Sequence, residues 1–77
     1  MISLKASEIA AVVGGTLHGE DVIVSANPVI DSRAATKGSL FIAIKGEQVD
    51  GHDFVADAQS HGAVLTLAEH AVAGPHI

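Results

Sequence analysis

The sequence predicts a small α/β domain: a mixed sheet, two short helices and one βαβ unit. Three observations carry that reading. Ser39-Leu40-Phe41-Ile42-Ala43-Ile44 is a short, nearly all-apolar run between Gly38 and Gly46, the pattern of a central strand covered on both faces. A second apolar run, Ala63-Val64-Leu65-Thr66-Leu67, follows a segment of helical character, so a parallel pair with a right-handed crossover is expected. The chain has 77 residues, 48% apolar and 17% charged, which supports one modest core and excludes intrinsic disorder.

The elements follow in order. Residues 2–4 open as a short strand. Ser7 stands where a helix N-cap belongs, with Glu8 in the first turn where the helix dipole favours an acid. Ile9, Val12 and Val13 recur at helical spacing and Gly14-Gly15 supplies the stop. A capping box from Ser7 would need Glu or Gln at position 10, which is Ala10. Thr16-Leu17-His18 reads as a short extended piece before the turn Gly19-Glu20-Asp21. Val22-Ile23-Val24 begins a second strand, and Pro28 places it at an edge or ends it. Val29-Ile30-Asp31-Ser32 resumes extended and enters a polar loop around Lys37-Gly38. After the central strand, residues 47–52 form a loop. Asp53 is then placed to cap a helix from Phe54 to about His61, with Phe54, Ala58 and His61 on one face and Gly62 as its end. Pro75-His76-Ile77 begins a further strand, so the chain stops as an element starts, the look of a piece of a longer protein.

Composition narrows the function. Without Cys there is no disulfide scaffold, thiolate metal site or cysteine nucleophile. With no Trp or Tyr and only Phe41 and Phe54, a stacking platform for single strands is missing, and a net charge of −5 argues against nucleic acid as a partner. No apolar run approaches the roughly 20 residues of a membrane span and the start is no signal peptide, so a cytoplasmic location is expected. The charge is uneven. Residues 30–46 carry Arg33, Lys37 and Lys45 against Asp31, a local +2 that could steer a small anion or simply be solvated.

Nucleotide hydrolysis needs a glycine-rich loop ending Gly-Lys-Ser/Thr before a helix, and Lys37-Gly38-Ser39 has the wrong order and leads into a strand. No cofactor and no catalytic residue are therefore expected in this chain. His18, His52, His61, His70 and His76 lack chelating spacing, so no metal site is expected and solvent-facing loop positions are. Two loops flank the central strand. At Asp31-Ser32-Arg33, a hydroxyl and adjoining amides can bond the edge of a base, and Arg33 can offer a fork to an anion; equally, Asp31 and Arg33 can tie the turn together. The loop Gly46-Glu47-Gln48-Val49-Asp50-Gly51-His52 lies at the carboxyl end of that strand, where open α/β sheets bind ligands. Gln48 could both donate to and accept from a base, or the loop could be a polar connection.

Four pieces in this order and spacing resemble the N-terminal domain of the Mur ligase family: Asp31-Ser32-Arg33, the run Gly38 to Gly46, Asp50-Gly51-His52-Asp53-Phe54, and Gly62-Ala63. The resemblance spans nearly the whole chain. It implies the UDP-substrate-binding domain, residues 1–77, of an ATP-dependent ligase of peptidoglycan synthesis, with ATP and Mg2+ bound by domains beyond this chain. The opening Met1-Ile2-Ser3-Leu4, Glu8-Ile9-Ala10 and Gly14-Gly15 are most similar to members that join D-alanyl-D-alanine to UDP-N-acetylmuramoyl-tripeptide. Members adding diaminopimelate or lysine share the later motifs and are the first alternative; a free-standing, non-catalytic binding module is the second. By the resemblance, Ile30 and Ser32 match positions that contact the uridine nucleotide, and Glu47, Gln48 and Val49 match the loop closing over it. Arg33 and Asp50 fall within the same motifs, either at the substrate or ordering the loops. The family often has proline before the glycine at Gly38; here Lys37 leaves that turn less pre-set and adds a positive charge.

Overall fold

The computed structural model describes residues 3–44, 50–69, 72 and 74–77. The elements are β1 (Leu4–Lys5), α1 (Ala6–Val13), β2 (Ile23–Val24), β3 (Leu40–Ile42), α2 (Val55–Ser60) and β4 (Leu65–Leu67), with 3-10 turns at Ser32–Ala34 and Gly51–Phe54. β1 and β2 pair antiparallel, Leu4 opposite Val24. β3 and β4 pair parallel, Leu40 opposite Leu65 and Ile42 opposite Leu67, so α2 is the crossover of the expected βαβ unit.

β3 is central because it is paired on both edges. On the side away from β4, Val29 N–H donates to Leu40 O at 2.9 Å and Ile42 N–H to Val29 O at 2.8 Å, a parallel bridge. Beyond β4, Thr66 N–H donates to Pro75 O and Ile77 N–H to Thr66 O, and His76 in turn exchanges both backbone bonds with His18. The short extended pieces at Thr16–His18 and Pro75–Ile77 thus complete the sheet.

Alternation along β3 divides the core in two. Leu40 packs with Ala6, Ile9, Ala10, Val24, Leu65 and Ile77, on the side of α1. Phe41 and Ala43 point the other way, to Val55 and Ala58 of α2 and to Ala35 and Ala63. Successive strand residues face opposite sides, so both helices are needed to keep the strand dry. Each fully buried large side chain, such as Phe41 or Leu65, contributes about 1.5–3 kcal/mol.

Both helices depart from the sequence reading at their starts. α1 begins at Ala6, with Lys5 rather than Ser7 in the N-cap position. Glu8 is then the third helical residue and its carboxylate accepts from Lys5 N–H at 3.0 Å, one half of a capping box. Ser7 instead gives its N–H and its hydroxyl to the two oxygens of Asp21, at 2.8 and 2.9 Å. An orphan first-turn donor is satisfied from a loop 14 residues away, which no local pattern encodes. The buried face is Ala6, Ile9 and Ala10, and Val12 is 87% exposed. The stop is as expected, Gly14 closing α1 at φ +68°.

At α2 the 3-10 turn Gly51–Phe54 precedes the helix, capped by Asp50 and not by Asp53. The tighter turn rotates the helical phase, so Val55 and Ala58 face inward while Phe54 and His61 are exposed. Likewise Asp31 and Ser32 do not continue as strand: Asp31 ends the extended stretch and Ser32 opens a 3-10 turn.

Candidate functional site

The two 3-10 turns are built by one device. Asp31 Oδ1 accepts from Arg33 N–H at 2.9 Å, and Asp50 Oδ1 accepts from His52 N–H at 2.9 Å. An aspartate bonding the backbone two residues on stabilises a local turn against strand or helix. One turn follows Val29, the other follows β3, and these are parallel neighbours. Between them opens a cleft of about 850 Å³ at the carboxyl end of the sheet.

Its apolar walls are Ile30, Phe41, Ile44 and Phe54. Three of these are large side chains left in contact with water, Ile30 at 67%, Ile44 at 52% and Phe54 at 43% exposure. Convergent exposed hydrophobes beside a few fixed polar groups are what a flat, largely apolar ligand group needs. The polar groups are Asp31, Ser32, Arg33 and Asp57. Ser32 is buried, and its hydroxyl donates to Asp57 Oδ2 at 2.7 Å.

Arg33 and Asp31 form a fork, Nε to Oδ1 at 3.1 Å and Nη2 to Oδ2 at 2.9 Å. That side-chain bond, with the backbone bond from Arg33, holds the Asp31 carboxyl below its usual range and raises the Arg33 guanidinium further. The turn-tying role is therefore realised. The Arg33 side chain is still 83% exposed, and its Nη1 is not used by Asp31. Gly51 forms the floor opposite, its N–H donating to Ile44 O at 2.8 Å. A Cβ there would stand 2.6 Å from Ile44 N, so only glycine lets the loop approach the end of the strand this closely.

Of the residues singled out from the sequence, Ile30, Ser32 and Arg33 come together in this cleft. Asp50 does not line it; its carboxylate caps the second turn and receives His52 Nδ1. Glu47, Gln48 and Val49 lie outside the described residues. Sequence reasoning missed Asp57, which reaches Ser32 across 25 residues, and misjudged His52. The His52 side chain is only 3% exposed: Nε2 accepts from Glu69 N–H at 3.0 Å, so the ring proton sits on Nδ1 and is donated to Asp50. His18 and His76 are not loop histidines either, for they stack at 4.8 Å across the sheet-edge bridge.

Comparison with known proteins extends the geometry. A family model described as Mur ligase family, catalytic domain, matches residues 27–75, from the first cleft turn through the βαβ unit. The UDP-N-acetylmuramoyl-tripeptide--D-alanyl-D-alanine ligase of Escherichia coli (strain K12) is 41% identical over 67 residues, covering 87% of this chain. That of Mycobacterium tuberculosis (strain ATCC 25618 / H37Rv) is 39% identical over 83 residues, covering all of it. A UDP-N-acetylmuramoyl-L-alanyl-D-glutamate--2,6-diaminopimelate ligase from Parabacteroides distasonis is 43% identical over 61 residues, 79% of the chain. This chain spans only 13–16% of the length of these relatives. A crystal structure of MurF from Acinetobacter baumannii superposes on the whole chain with a TM-score of 0.84 at 23% identity, covering 18% of that chain, a likeness of fold. MurF ligase from Thermotoga maritima, in complex with ADP, matches 64% of this chain and 12% of its own at a TM-score of 0.58 and 35% identity. With the family model covering more than half the sequence and relatives above 30% identity covering most of it, the chain belongs to the Mur ligase family.

Proposed function

We propose that this chain is the UDP-N-acetylmuramoyl-peptide-binding domain of a cytoplasmic, ATP-dependent ligase that joins D-alanyl-D-alanine to UDP-N-acetylmuramoyl-tripeptide in peptidoglycan synthesis. The observation that carries the reading is the cleft itself. It gathers Ile30, Ser32 and Arg33 at the carboxyl ends of two parallel strands, where Ile30, Ile44 and Phe54 expose apolar surface. Ile30, Ile44 and Phe54 would bracket the uracil ring, Ser32 would meet its polar edge, and Arg33 Nη1 would face the diphosphate.

In this reading the chain's own residues bind and orient, and ATP and Mg2+ are assigned to other domains because the sequence has no Gly-Lys-Ser/Thr loop. Nucleotide and metal would be held elsewhere in the ligase, as would D-alanyl-D-alanine. Among the described residues no helix is long and apolar enough to cross a membrane. The D-alanyl-D-alanine specificity rests on the names of relatives such as those from E. coli and M. tuberculosis. The diaminopimelate-adding ligases, of similar identity, supply the second reading.

The test is a ligase assay on the whole protein with ATP and UDP-N-acetylmuramoyl-tripeptide. D-alanyl-D-alanine should be joined; UDP-N-acetylmuramoyl-dipeptide with diaminopimelate or lysine should give no product. Ser32→Ala should raise KM for the UDP substrate and leave kcat unchanged, the mark of a binding contact remote from the reacting atoms. Loss of kcat at unchanged KM would contradict the binding role.

A further inference from the structure

We propose that Asp57 is a specificity-determining positioning residue: it takes the Ser32 proton, leaves Ser32 Oγ as an obligate acceptor, and so selects uracil over cytosine. The inference rests on the uridine-binding reading of the cleft and deepens it.

The argument is one of proton count. A serine hydroxyl has one proton and two lone pairs. Here the proton is committed to Asp57 Oδ2 at 2.7 Å, and a carboxylate has none to return. What Ser32 offers a ligand is therefore a lone pair, never a proton. Ser32 is only 5% exposed, so water cannot readily replace a mismatched partner. Few rivals compete for the same oxygen of Asp57. The His61 ring nitrogen Nδ1 stands 3.7 Å from Oδ2, beyond hydrogen-bond reach, and bonds Asp57 O at 2.8 Å instead. Two elements fix the geometry. Ser32 opens a 3-10 turn pinned by Asp31, and Asp57 sits on α2, whose Ala58 is fully buried against the sheet.

Uracil carries an N–H at N3 and would satisfy the Ser32 lone pair. Cytosine has a bare acceptor at N3, so two acceptors would meet in a poorly hydrated place. Asp57→Asn keeps the shape but adds an N–H that can donate to Ser32. The Ser32 proton is then free to turn to cytosine N3. Removal of the negative charge would shift all nucleotides alike, so the ratio between the two is the readout, and a merely structural role would leave that ratio alone.

The experiment is an NMR titration of the 77-residue chain and its Asp57→Asn and Ser32→Ala variants with UMP and CMP. Wild type should bind UMP about tenfold or more tightly than CMP, the effect of one mismatched hydrogen bond. Asp57→Asn should bring the two within about threefold, and Ser32→Ala should weaken UMP and abolish the preference. Equal binding of UMP and CMP by wild type, or an unchanged ratio in a folded Asp57→Asn, overturns the role of Asp57 and leaves the uridine reading standing. If Asp57→Asn does not fold, a preference retained by Ser32→Ala overturns it. No binding of either nucleotide or of UDP-N-acetylmuramoyl-tripeptide overturns both.

Discussion

Gly62 is the position where the βαβ unit is most sensitive to a single added carbon. It ends α2 at φ +112°, a conformation L side chains rarely adopt. A Cβ there would lie 2.6 Å from both Lys37 N and Cα and 2.8 Å from Thr36 C. These are backbone atoms of the loop feeding β3, and Gly62 O holds that loop by accepting from Gly38 N–H at 3.0 Å. Gly62→Ala therefore adds two costs. The backbone conformation costs about 1–3 kcal/mol, and overpacking against unyielding backbone costs about 1–3 kcal/mol more. The total of about 2–6 kcal/mol compares with a stability of about 4–12 kcal/mol for a chain of this length. Gly14→Ala is the control. Gly14 also has positive φ, +68°, but nothing lies within 4 Å of its added Cβ. Its conformational cost of about 1–2 kcal/mol is partly offset by about 0.4–1 kcal/mol from the less flexible unfolded chain, an offset that Gly62→Ala shares and that cancels between the two. Thermal and urea unfolding of both variants measure the difference. Gly62→Ala should lower Tm by about 8 °C or more, a few times the drop in Gly14→Ala. Equal drops in the two variants would refute the packing argument.

Gly51→Ala would push against Ile44 N and displace one wall of the cleft, so KM for the UDP substrate should rise in a protein that still folds; an unchanged KM counts against the proposed site. His52→Ala removes the acceptor of Glu69 N–H and should cost about 0.5–1.5 kcal/mol for that bond, with faster hydrogen exchange at the Glu69 amide as its local signature. Unaltered exchange there would contradict the strut. Asp31 and Asp21 should titrate below the ordinary 3.8 in the folded chain, Asp31 through its bond to the Arg33 side chain and Asp21 through the Ser7 amide and hydroxyl. Because the folded values lie below the unfolded one, the stabilisation is fully present above pH 3.8 and is lost as pH falls through the depressed values. Carboxyl-carbon NMR titrations test this, and midpoints at or above 3.8 would contradict it.

What the sequence made legible was local. The apolar run at Ser39–Ile44 and the stops at Gly14 and Gly62 mark strand and helix ends through hydrophobic period and backbone freedom, and β3, β4 and both helix ends lie where these signals put them. The cleft's position followed from the same strand, and Ile30, Ser32 and Arg33 do line it. The illegible parts depend on contacts far apart in the chain. Ser7 does not cap α1 because Asp21 reaches it across a loop, and Asp57 enters the cleft only because α2 docks beside the first 3-10 turn. Asp53 misled because Asp50 builds a 3-10 turn first, and three residues per turn in place of 3.6 moved Phe54 from the buried face to the cleft wall. His52 is polar and lies among glycines and aspartates, yet its ring is buried because Asp50 and Glu69 satisfy both nitrogens.

The central claim is that this cleft recognises a uridine nucleotide. Titrating the isotope-labelled 77-residue chain with UDP-N-acetylmuramoyl-tripeptide, UMP and AMP tests it directly. The account predicts shifts at Ile30, Ser32, Arg33, Ile44, Gly51 and Phe54 with the UDP compound and UMP, and none there with AMP. Shifts that are equal for AMP, or that fall elsewhere on the molecule, would contradict it.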